Sequence, residues 1–175
     1  MKKSLLLVPL ALSTLMFAQK HNASNSPSLT HMEKEVRHEL VMLPNVNVFD
    51  NLEFKVDGST VTLSGQVTRP TLKSEAENVV KGVEGVTQVV NNIKVLPLSP
   101  NDDQIRRGVY MSLVSKPQLQ IYFMQAVPSI RIVVDNGHVT LAGVVANKGD
   151  FDVAKLAATT VPGVFSVDNN LRVEK

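Results

Sequence analysis

The pentapeptide Val61-Thr62-Leu63-Ser64-Gly65 returns 78 residues later as Val139-Thr140-Leu141-Ala142-Gly143. Aligned without a gap, 54–95 against 132–173 gives 15 identities in 42 positions, among them Gly85/Gly163, Asn91/Asn169 and Asn92/Asn170. A chain that writes one unit twice folds as two like modules, so any role read into one copy has to survive comparison with the other.

Each copy runs helix, hairpin, helix, strand. Thr30-His31-Met32-Glu33 has the form of a capping box. Met32, Val36, Leu40 and Leu43 follow at helical spacing up to Pro44. After a brief Val46/Val48 alternation, Phe54 and Val56 lead into the turn Asp57-Gly58-Ser59, and Val61, Leu63 and Val67 return. Leu72, Ala76, Val79, Val80 and Val83 form an apolar helical stripe that Gly85 is expected to end in a left-handed cap. Val86 to Val95 reads as the last strand. In the second copy Ile105, Val109 and Leu113 mark a helix over 103–116, and Asp135-Asn136-Gly137 is a strong hairpin signal. Asn147 with Asp150 caps a helix through Thr160, Gly163 is expected to end it, and Val164 to Val173 closes the unit. The fold class expected is α+β: two tandem units, each a small mixed sheet with both helices on one face. The hairpin-to-last-strand step is a crossover, which makes those two strands parallel. Gly65 and Gly143 are read as points of close strand–helix approach. Units of about 70 residues are near the lower limit for an independent core, so the two are expected to dock and stabilise each other.

Lys2 and Lys3 precede the apolar run Leu5–Leu12, and a small residue, Ala18, ends the segment. This reads as a signal peptide over 1–18, followed by a polar leader over 19–28, units over 29–96 and 102–175, and a linker at 97–101. Export to the periplasm is the expectation. Without 1–18, Lys+Arg falls from 18 to 16 and equals Asp+Glu at 16. No basic footprint for nucleic acid remains. The absence of cysteine excludes disulfides and thiol catalysis.

Little in the chain points to chemistry. Ser64 is replaced by Ala142 in the duplicate, which removes it as a nucleophile. His31, Glu35 and His38 share a helix flank, but the second copy has no counterpart, and no metal site is expected. Differences between the copies say more. Five extra residues separate the first helix of the second copy from its hairpin, within the apolar stretch Leu119–Ser129. Either this stretch packs on its own sheet or it meets a partner or lipid. Arg106 and Arg107, followed by Tyr110 and Met111, would suit an anionic headgroup surface; the alternative is a solvated helix face with the ring half tucked in.

The signature Val-Thr-Leu-x-Gly-x-Val, a helix, then Val-x-Gly-Val-x-x-Val-x-Asn-Asn-(Ile/Leu)-x-Val stands at Val61–Val67 with Val83–Val95, and again at Val139–Val145 with Val161–Val173. It resembles the BON domain. That resemblance implies an αββαβ fold, no catalytic activity, an envelope location and binding to phospholipid membrane surfaces, with osmotic or envelope protection as the biological setting. It equally implies an attached adaptor beside transport or outer-membrane complexes. No cofactor, metal or small-molecule substrate is expected. The residues expected to meet lipid or a partner are Arg106, Arg107, Tyr110, Met111, Tyr122, Phe123 and Met124. Gly65, Gly85, Gly143 and Gly163 are expected to be structural.

Overall fold

The computed structural model describes residues 30–174; the expected signal peptide and leader lie outside the described residues. The first unit comprises α1 (His31–Val41), β1 (Asn51–Asp57), β2 (Thr60–Val67), α2 (Pro70–Lys81) and a last strand in two pieces, β3 (Gln88–Asn91) and β4 (Lys94–Val95). The second comprises α3 (Pro100–Val114), a 3₁₀ turn (Pro117–Tyr122), β5 (Ile130–Asp135), β6 (His138–Val145), α4 (Lys148–Thr159) and β7 (Ser166–Val173). In both, the hairpin is antiparallel and the last strand joins its second strand in parallel, giving the orders β1-β2-β3 and β5-β6-β7. The fold is the expected α+β arrangement of two small mixed sheets.

Local chemistry accounts for the ends of the elements. Thr30 Oγ1 accepts from the Glu33 N–H, and the Glu33 carboxylate accepts from the Thr30 N–H in return, which is the expected capping box. Helix α3 starts at Pro100, inside the stretch read as a linker. Ser99 caps the Asp102 N–H there, and proline is at home in a first helical turn because its missing N–H would have no partner. The Asn136-Gly137 hairpin places both central residues at positive φ, 53° and 81°.

Two expectations about glycine need correction. Gly85 and Gly163 do not cap helices. The helices end three residues earlier, with Gly82 and Thr160 as C-caps. Each glycine is instead the third residue of a turn in which Val86 or Val164 donates to Val83 or Val161, and φ near +87° suits only a residue without Cβ. Gly65 and Gly143 mark strand–strand rather than strand–helix approach. A Cβ on Gly65 would lie 2.0 Å from the Asn51 carbonyl oxygen, and one on Gly143 1.9 Å from that of Ser129.

The sheets alternate. Val61, Leu63 and Val67 face α1 and α2 with Leu72, Ala76 and Val80; Ile130, Ile132 and Leu141 face α3 and α4 with Val109 and Leu113. The two cores are separate clusters. Asn91 Nδ2 donates to the Lys73 carbonyl at 2.8 Å, and Asn169 Nδ2 donates to the Phe151 carbonyl at 2.8 Å. The paired asparagines therefore bolt the crossover helix to the last strand, once per copy.

The units are joined by the segment before β1. The buried Asp50 carboxylate accepts from Thr68 N–H, Thr68 Oγ1 and Asn47 N–H, which bends 47–50 outward. The Val48 carbonyl accepts from Ile132 N–H (2.9 Å), the Asn47 carbonyl accepts from Arg131 Nη1 (3.2 Å), and Phe49 packs on the second core. Lys94 also pairs with Asp135. Val133 and Ala142 point away from the second unit's helices and belong to neither core, yet are only 3% and 7% exposed.

Two stability predictions follow from this geometry. Gly143→Ala should lower stability by roughly 2–4 kcal/mol through clash and strain, and Gly58→Ala, with open space around it, by only about 1 kcal/mol, both read from urea unfolding. Phe49→Ala should cost about 2 kcal/mol and split one unfolding transition into two, because it removes a ring that one unit lends to the other's core.

Candidate functional site

Helix α3 and the apolar connection after it are where the two copies differ most. The first turn of α3 is committed to the fold. The Asp102 carboxylate, fully buried, accepts from the Asn136 and Gly137 N–H groups at 2.9 Å each and so fixes the β5–β6 turn. One turn on, Arg106 is 5% exposed; its guanidinium donates to Asp103 (2.5 Å) and to the Val134 carbonyl (2.7 Å). Arg106 therefore holds the hairpin and is withdrawn from the surface set. The cause is its place on the Ile105/Val109/Leu113 stripe, three residues before Val109.

Tyr122 is likewise internal. Its hydroxyl donates to Asp150 at 2.5 Å and accepts from the Ala146 N–H at 2.9 Å, which ties the 3₁₀ turn to the start of α4. Burial first, and the Asp150 carboxylate second, push the Tyr122 phenol above its ordinary value. Leu119 is fully buried beside it, so the first half of the insertion packs on its own unit, as one of the two readings held.

Tyr110 and Phe123 are half-buried and form a run of edge-on rings. Phe49 lies 6.4 Å from Tyr110, and Tyr110 lies 5.5 Å from Phe123, so the aromatic contact crosses between units. Phe49 was not on the list of expected site residues; its weak signal was an aromatic next to Asp50, just ahead of a strand.

Three expected residues remain at the surface. Arg107 is exposed, Met111 is 65% exposed one helical turn further along the same flank, and Met124 is 81% exposed directly after Phe123. Ile121, missed because it sits among buried neighbours, joins them in the open. Between the units a crevice of about 210 Å³ is lined by Leu40, Val41, Leu43, Val46, Asp50 and Leu52 of one and Ala126, Val127 and Arg131 of the other.

The remaining candidates do not assemble. His31, Glu35 and His38 are exposed, and among the described residues no three His, Cys, Asp or Glu side chains gather as metal ligands. His138 Nδ1 lies 2.8 Å from Ser166 Oγ, but the pair is on an exposed turn and the imidazole's other face stacks edge-on with Phe165. Among the described residues no carboxylate orients that ring, so the pair lacks the third member a serine nucleophile needs. No helix among the described residues is long and apolar enough to cross a membrane.

The Tyr122 contact predicts an alkaline limit. The folded state holds the phenolic proton more tightly than the unfolded chain, so stability is intact below pH about 10 and falls as pH rises above it. Tyr122→Phe should remove the phenol's share of that fall and cost roughly 1–3 kcal/mol at neutral pH, by leaving the Ala146 N–H unpaired and Asp150 with one donor fewer beside Asn147 Nδ2. Denaturant midpoints between pH 7 and 11 measure both.

The BON domain model matches residues 28–97 and 101–175. Osmotically-inducible protein Y of Escherichia coli (strain K12) is 32% identical over 142 residues, 80% of this chain and 70% of that protein. Among solved structures, the C-terminal domain of CdsD, a structural protein of the type III secretion system of Chlamydia trachomatis, overlaps 85% of this chain and all of its own at 12% identity and a TM-score of 0.30, a likeness too slight to bear on function. The duplicated hairpin–helix–strand unit and the two matched stretches coincide: the chain belongs to the BON-domain family and carries two copies in tandem.

Proposed function

We propose that the protein is a non-enzymatic envelope component that attaches reversibly to anionic phospholipid surfaces through its second unit, in the setting of osmotic stress, its relative being named as osmotically inducible. The observation that carries this reading is the exposed group of Arg107, Met111, Ile121 and Met124. Fold duties consume Arg106 and Tyr122, and Tyr110 and Phe123 brace the units, whereas Arg107, Met111, Ile121 and Met124 are left in solvent. Flexible methionines beside a cation suit the boundary between headgroups and acyl chains. The charge balance agrees: residues 29–97 carry seven Lys/Arg and nine Asp/Glu, and residues 102–175 carry eight and seven. One arginine near the surface and partial burial of three apolar side chains sum to about 4 kcal/mol, which corresponds to weak, readily reversed attachment.

The crevice that sets Val41 and Val127 beside Asp50 and Arg131 favours a second reading, an adaptor that receives a mixed polar and apolar segment of an envelope protein. Vesicle sedimentation separates the two. Binding to anionic vesicles should fall with salt and fall several-fold in Arg107→Glu and in Met111→Ser/Met124→Ser, with unfolding midpoints unchanged. Arg106→Ala should instead lower the midpoint. Equal binding to neutral vesicles, or an unaffected Arg107→Glu, would overturn the lipid reading.

A further inference from the structure

The two copies finish their sheets differently. In the first unit the last strand is broken at Asn92-Ile93 into pieces of four and two residues, which blunts the edge. In the second, β7 runs unbroken for eight residues, and no described element pairs with its outer side. The Glu174 N–H donates to Val145 on β6, so the even-numbered residues of β7 aim their backbone groups inward. Val167, Asn169, Leu171 and Val173 therefore aim theirs outward. Among the described residues, only the Leu171 amide of these four has another partner, Asn169 Oδ1 at 3.4 Å.

The side chains of this edge are complementary to themselves. Asp168, Asn170 and Arg172 share the helix-free face and are exposed, and neither Asp168 nor Arg172 is ion-paired among the described residues. Turned about a two-fold axis at Asn170, one β7 lies antiparallel to another with Asp168 opposite the second copy's Arg172, and Arg172 opposite its Asp168. Asn170 meets its own equivalent, and Val167 meets Val173 on the helix side. The parity also fits. The outward backbone groups make Val167/Val173 and Asn169/Leu171 the hydrogen-bonded pairs, and the charged pairs fall at the non-bonded positions, where facing side chains are closest. The first unit has no such device: its equivalents are Val90 and Lys94, and Lys94 is engaged with Asp135. We propose that the β7 edge is a self-association surface, through which two copies of this chain join their second sheets into one continuous six-stranded sheet by antiparallel β7–β7 pairing.

The chain lacks cysteine, which makes the register directly testable. Asn170→Cys on the dyad should cross-link to a disulfide dimer on mild oxidation, while Asp168→Cys, whose own equivalent lies several residues away, should not. By sedimentation equilibrium, Arg172→Asp or Asp168→Arg alone should weaken self-association roughly tenfold by setting like charges opposite each other twice. The exchange Asp168→Arg/Arg172→Asp should restore it, which separates pairing from folding defects. A chain that stays monomeric across the concentration range, a dimer indifferent to single reversals, or equal cross-linking at 168 and 170 would overturn the proposal.

Discussion

A sheet covered by helices on one side only leaves its other side to be accounted for, and that constraint shapes most of this molecule. Each unit is too small to wrap its sheet twice. The first uses its hairpin's polar residues: Glu53, Lys55, Thr62, Ser64 and Gln66 alternate with the core-facing positions, the first two exposed and the other three half-buried. The second does not. Val133 and Ala142 occupy its helix-free face nearly out of solvent, where the 47–50 segment of the first unit bonds to the adjacent Arg131 and Ile132. Burying Asp50 with three donors and half-burying Arg131 is the electrostatic cost of that junction. Burial depresses the Arg131 pKa, and the Asp50 carboxylate works against the shift. The cleft left over, about 690 Å³ and lined by Asn51, Glu53, Gln66, Thr140, Asn170 and Arg172, stays polar.

Duplication separates what the fold requires from what each copy is free to change. The asparagine bolt from strand to helix and the glycine turn after the helix occur at corresponding positions with the same partners. The close approach at Gly65 and Gly143, each within clashing distance of a neighbouring carbonyl, is also repeated. These are backbone solutions, indifferent to the surface. What is not repeated is equally definite. Asp102, Arg106 and the Tyr122–Asp150 contact exist only in the second unit. They stiffen the hairpin turn and the inserted connection that the first unit lacks.

Much of this was legible before any coordinates, because periodicity and turn chemistry act locally. The capping box at Thr30, the Asn136-Gly137 hairpin, the Asn147 cap and the two-residue alternation of the strands all read off neighbouring residues. The candidate site was less legible, because it depends on which way a helix is rolled. Arg106 and Arg107 are adjacent in sequence and lie about 100° apart around α3, so one enters the core boundary and the other leaves it. The phase of Ile105, Val109 and Leu113 held that information, whereas reading the two arginines as a pair discarded it. Phe49 left only a weak local signal, since its partners Tyr110 and Phe123 are contributed by the other unit.

Function in such a chain belongs to the positions the fold does not occupy. A buried arginine whose guanidinium is turned inward to Asp103 and the Val134 carbonyl is closed off from a phosphate outside, however basic the sequence looks around it. An exposed methionine at the end of an aromatic brace keeps its contact area free, and the brace holds it in place without ordering it further. The same logic applies to the sheet edges. The interrupted β3–β4 edge leaves few backbone groups aligned for a partner, whereas β7 presents four residues' worth in one plane with opposite charges alternating about a centre. A tandem protein can therefore assign its copies different work. In this one the first unit lends Phe49 to its neighbour's core, while Met111, Ile121 and Met124 of the second stand exposed.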